Sequence, residues 1–143
     1  MQWLVFILLS AFFNSLMDLF TKISSDKIHA GFGSLLVCLF AAIPTTIYTI
    51  YAKINRQEIL ITKTGIIFSM LAGLTVGIAT IFIYQAFSGG INLSVAVPIL
   101  RISMIIIAAG FGVFLLKEGI NLKLILGLTI SIIGIYLILN AKA

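Results

Sequence analysis

NLSVAVPILRISMIIIAAGFGVFLL occupies residues 92–116 and carries one proline, Pro98, and one charge, Arg101. A bilayer core takes ~20 apolar residues as helix, so the stretch is long enough to span with some tilt. Its central residue is Met104. Arg101 therefore sits about 4.5 Å from the middle of the span at ~1.5 Å per residue. A guanidinium at that depth costs at least ~2.5–3.5 kcal/mol and faces a partner or a wet cavity rather than lipid. Pro98 cannot donate its backbone bond and clashes with the carbonyl of Ser94. A freed carbonyl in hydrocarbon needs protein or water. A kink beside a buried cation is what a binding or gating point uses. A structural kink with Arg101 paired to Asp18 for fold specificity is the plainer alternative.

The surrounding composition agrees with a membrane chain. Of 143 residues, 62 % are hydrophobic and 9 % charged, against roughly a quarter charged in soluble domains. The net charge of +5 comes from cations between apolar runs, the pattern of membrane topology rather than of nucleic-acid binding. Cys38 lies inside an apolar run without metal-ligand spacing, and His29 falls in a loop. The N-terminal segment lacks the charged start and small-residue cleavage site of a signal peptide. It reads as a retained span.

Five helices are predicted in one transmembrane domain over residues 1–143, at about 2–21, 31–52, 64–87, 92–116 and 122–139. Their length and lack of period-two alternation exclude a β-barrel. The expected fold is all-α, with short connections that make sequential helices antiparallel neighbours. One side collects Lys53, Arg56, Lys63, Lys117 and Lys123; the other collects Lys22, Lys27 and Lys142. The positive-inside rule then favours a cytoplasmic N-terminus. A difference of two cations leaves insertion in both orientations open.

Polar residues pick out faces. Ser10, Asn14, Asp18 and Lys22 fall on one stripe of the first helix. Either Asp18 and Lys22 pair along the helix, or the stripe lines a cavity in which Asp18 binds a proton or a cationic solute. Ser69, Gly73 and Gly77 on the third helix, and Gly127, Ser131 and Gly134 on the fifth, are small-residue stripes suited to helix packing or dimer contact. Tyr84 and Gln85 end the third helix as an interfacial anchor or a cavity wall. Pro44, Thr45 and Thr46 permit a kink in the second helix, with hydroxyls covering loose carbonyls. The candidate substrate-binding residues are Arg101, Asn14, Asp18, Tyr84 and Gln85, with Pro98 and Pro44 as kinks. No catalytic triad, central carboxylate pair or phosphate-cradling loop is present. Neither an enzyme, a cofactor nor a metal site is expected.

Three stretches carry a resemblance: AFFNSLMDLFTK, QAFSGGINLSVAVPILRISM and LLKEGINLKLILGLTISIIGIYLIL. Together they resemble the EamA-type half unit of the drug/metabolite transporter superfamily over nearly the whole chain. The same stretches are similar to the smaller, four-helix small multidrug resistance family. There the first helix bears a membrane glutamate eight residues before a lysine. Counting back from Lys22 reaches Asn14, not a carboxylate. The cationic Arg101 hints instead at an anionic, zwitterionic or metabolite-like substrate. Ten-helix relatives look like two inverted five-helix units. The resemblance thus implies a homodimer, antiparallel across the bilayer, in the cell inner membrane. It implies a secondary transporter of a small metabolite or drug-like solute working by alternating access. A flippase for a lipid-linked sugar and a non-transporting membrane subunit are the alternatives.

Overall fold

The computed structural model of the chain describes residues 2–119 and 121–140, leaving aside the side chain at position 2. Ile120 of the last connection and Lys142 of the three-cation side lie outside the described residues. Five helices follow in order: α1 (Gln2–Ser25), α2 (Ala30–Ile54), α3 (Lys63–Ser88), α4 (Leu93–Phe114) and α5 (Leu122–Asn140). All five are long and apolar enough to cross a membrane. No strand occurs among the described residues. The chain divides into two compact units, residues 1–90 and 91–143, described in turn.

In the first unit, α1 packs against α2 and α3, and α2 packs against α3. Its buried side chains include Asp18, Thr21 and Ser25 on α1, Ser34 on α2 and Thr80 on α3, beside Tyr84 and Phe87. Positions 18, 21 and 25 share one face of a 3.6-residue helix. Phe6, Leu8, Phe12 and Phe20 are exposed on the same helix. This inside-out arrangement suits a lipid solvent, in which apolar surface gains nothing from burial and polar groups must find partners within the protein.

Helix ends differ from the sequence reading where polar side chains find bonds. α1 continues past Thr21 to Ser25. Its last turn stays helical because Ser24 Oγ bonds Thr21 O and Ser25 Oγ bonds Lys22 O, while Lys22 reaches another helix. His29 caps α2, its Nδ1 accepting from Gly31 N at 3.2 Å. Thr62 Oγ1 caps α3 by accepting from Gly65 N at 3.1 Å. Between these two helices Ile59, Leu60 and Ile61 are exposed on irregular backbone, whose polar groups call for the headgroup zone rather than hydrocarbon.

Pro44 removes the bond to the Phe40 carbonyl. The adjacent hydroxyls turn to the next carbonyls instead. Thr45 Oγ1 lies 2.9 Å from Ala42 O and 3.3 Å from Ala41 O, and Thr46 Oγ1 lies 2.7 Å from Ala42 O.

In the second unit α4 packs on α5. α4 ends at Phe114, two residues before the expected Leu116. Lys117 adopts a left-handed φ of 56°, and Glu118 N turns back to donate to Gly112 O at 3.0 Å. Asn121 Oδ1 then caps α5 by accepting from Leu124 N at 2.8 Å.

Candidate functional site

The C-terminal ends of α1 and α3 lie side by side and are joined by polar bonds. Lys22 Nζ donates to Phe87 O at 3.0 Å and stands 5.8 Å from the centroid of the Phe87 ring. The last carbonyls of a helix lack intrahelical donors and carry the negative end of its dipole. A lysine placed there meets a charge-assisted acceptor and a π face together. Lys22 thus reaches across to α3. Ser88 Oγ lies 2.9 Å from Ser25 O and 2.8 Å from Tyr84 O, so one proton serves two carbonyls. Ser24 Oγ lies 3.0 Å from the Tyr84 hydroxyl. On the other flank Ser34 Oγ donates to Gly77 O at 3.2 Å and joins α2 to α3.

Tyr84 is only 4 % exposed, and a glycine makes its position possible. A Cβ at Gly33 would lie 2.7 Å from Cε1 and Cζ of the phenol ring. Gly33 therefore lets the ring lie on the α2 backbone. Sequence reasoning missed this residue; its signal was the pair of glycines, Gly31 and Gly33, followed by Ser34 at the start of α2.

Beside the phenol, α1 and α2 diverge around a groove of about 750 Å³. Known ligand sites span ~300–1,000 Å³. Phe13, Phe20, Phe40 and Pro44 contribute apolar wall, and Thr21, Ser24 and Tyr84 contribute hydroxyls at the other end. No charged residue lines it.

The predicted site residues fall in different places. Tyr84 lines the groove, while its neighbour Gln85 is exposed, since successive helical residues point ~100° apart. Asp18 is 1 % exposed, one turn before Thr21 on the buried face of α1. Asn14 is half-buried, and its Nδ2 donates within α1 to Ser10 O at 2.8 Å. Arg101 belongs to the second unit, half-buried, with Nη1 3.9 Å from Met104 Sδ. Pro44 forms groove wall, and Pro98 is half-buried in α4.

Among the small residues, a Cβ at Gly73, Gly77 or Gly127 would meet no described atom within 4 Å. One at Gly134 would reach Ile102 Cδ1 at 4.0 Å. Ser131 Oγ bonds back to Gly127 O at 2.9 Å. The close approaches are at Gly33 and at Gly112, where a Cβ would collide with the Glu118 carboxylate. No group of three or more metal-ligating side chains occurs among the described residues.

The family model described as the EamA-like transporter family matches residues 1–140. No curated protein and no solved structure matches the chain.

Proposed function

Because the chain belongs to the EamA-like transporter family, we propose that it carries a small metabolite or drug-like solute across the cell inner membrane by alternating access. Family and helices together make it a multi-pass membrane transporter of the drug/metabolite type, in a family of transporters rather than enzymes. The observation that carries the finer reading is the groove between α1 and α2, where an apolar wall ends in the hydroxyls of Thr21, Ser24 and Tyr84. Such a mixture holds an organic solute and orients one end of it. Arg101, three residues after Pro98 on α4, and the buried Asp18 are the further candidates for contact with cargo. Asn14 and Gln85 are weaker candidates, one bonded within its own helix and the other exposed.

An odd number of spans would leave the first and last helices starting and ending on opposite sides of the bilayer, and a second copy inserted the other way up would then rebuild an inverted repeat. The open faces at Gly73 and Gly127 suit that contact. Gly73→Cys in a Cys38→Ser background is expected to crosslink to dimers in lipid; monomers alone would count against the pairing.

Uptake into liposomes over a panel of solutes, with and without a pH gradient, tests the function. The panel includes a lipid-linked sugar, whose movement would favour the flippase alternative. We expect a solute-dependent signal that falls at least tenfold in Arg101→Ala. If no solute moves, a non-transporting packing subunit replaces the carrier reading; if Arg101→Ala, Asp18→Asn and Tyr84→Phe all transport like wild type, the carrier stands but its cargo site lies elsewhere.

A further inference from the structure

We infer that the α1–α2 groove selects neutral solutes that have an apolar body and one N–H or O–H donor directed at the Tyr84 oxygen. The inference rests on the carrier reading above and names the chemical class of its cargo. It follows from where the protons must lie. Ser24 Oγ stands 3.1 Å from Thr21 O and 3.0 Å from the Tyr84 hydroxyl. A carbonyl can only accept, and a serine has one proton. Each bond has a proton of its own only when Ser24 donates to Thr21 O and Tyr84 donates to Ser24 Oγ, an arrangement stronger than one Ser24 proton divided between two acceptors as at Ser88. The phenol proton is then committed inside the protein. What Tyr84 offers the groove is a lone pair, so the matching group on a solute is a donor.

Burial sharpens the argument. Tyr84 is 4 % exposed yet contributes to the groove lining, so the edge it presents is small and a solute's donor must be aimed at it. The ring lies so close over Gly33 that a Cβ there would come within 2.7 Å of it, which leaves it no room to move further toward α2. The remaining wall is mainly aromatic and aliphatic, with no charged residue. An ionised solute would lose its hydration there without a counter-charge, which is costly. A neutral solute would lose little. The volume of about 750 Å³ leaves room for a body of fused rings or a branched chain.

Indole and 1-methylindole make a matched pair of probes, since methylation removes the donor and keeps the aromatic body. Thermal unfolding of the purified full-length chain in detergent is followed while each probe is titrated, because a ligand for the folded state raises the midpoint with its concentration. 1-Methylindole is the more apolar probe and partitions more into the micelle, so each titration is plotted against the free aqueous concentration measured by equilibrium dialysis. In wild type, indole should reach a given shift at about two- to twelve-fold lower concentration, the value of one neutral hydrogen bond. Tyr84→Phe keeps the ring on Gly33 and removes the lone pair, so the two titrations should coincide. Ser24→Ala releases the phenol proton toward the groove, and the preference for the donor should narrow. This second variant keeps the test open if Tyr84→Phe does not fold. Ala41→Trp fills the groove, and neither probe should then shift the midpoint.

Equal titrations in wild type, a preference that survives both Tyr84→Phe and Ser24→Ala, or no shift with either probe would overturn the inference. Liposome uptake of a charged solute would in that case leave the carrier reading standing. Donor-selective binding without uptake of any solute would sink the carrier reading and keep the groove as a binding site.

Discussion

The two units of the chain hold their helices together by different means. In the first, α1 is joined to α3 by Lys22 on Phe87 O, Ser88 on Ser25 O, and Tyr84 with Ser24. In the second, α4 meets α5 through aliphatic surface: Ile102 near Gly134, and Gly110 and Val113 around a groove shared with Leu124 and Leu128. In lipid, apolar side chains gain little by leaving one apolar neighbour for another, whereas interhelical hydrogen bonds replace partners that lipid cannot supply. The first unit is therefore specified by a few directional contacts, and the second by shape. Single substitutions should separate the two.

The largest expected effect is at Gly33. Gly33→Leu must displace the Tyr84 ring, and overpacking of this kind costs about 1–3 kcal/mol or more. The thermal midpoint in detergent should fall well below that of Gly127→Ala, which adds a methyl to open space. Equal midpoints would show that the ring does not lie on α2. Next comes Lys22→Met, which keeps the stem but loses a charge-assisted bond worth about 1.5–3 kcal/mol. Lys123→Met, in the first turn of α5, should leave stability unchanged; a loss as large as that of Lys22→Met would erase the contrast between units. A smaller loss of about 0.5–1.5 kcal/mol is expected for Ser88→Ala, read as faster proteolysis between α1 and α2. Smallest is Ser131→Ala, which removes only a bond back to Gly127 of its own helix. Its change should stay within about 0.5 kcal/mol, and a greater loss would reveal a contact for α5 that shape alone does not explain.

How much of this was legible in sequence follows the same division. Five helices could be read because apolar length is a local property. Tyr84 could be singled out because a polar aromatic at the end of a span is conspicuous. Its partners could not. Ser24 lies 60 positions away in the chain and Phe87 lies 65 from Lys22, and no periodicity encodes which helices are neighbours or how they are rotated. The same limit explains the glycines. Gly73 and Gly127 sit in regular small-residue stripes where a Cβ would meet no described atom within 4 Å, whereas Gly33, outside any stripe, lies under the Tyr84 ring of a neighbouring helix. Spacing gives the face of a helix but not what the face meets. The extension of α1 to Ser25 was hidden likewise, since Lys22 remains helical in company with a carbonyl from α3.

The join between α1 and α3 also bears on biosynthesis. The bonds that cover Lys22 and Ser25 come from residues 87 and 88. At ~5–20 residues per second the ribosome needs about 3–13 s to make the intervening 65 positions. Until then the nascent first hairpin holds an unsheathed polar seam, a state that membrane chaperones and proteases recognise. A chain stopped after Ile54 should be degraded in a pulse-chase faster than one released after Gly90.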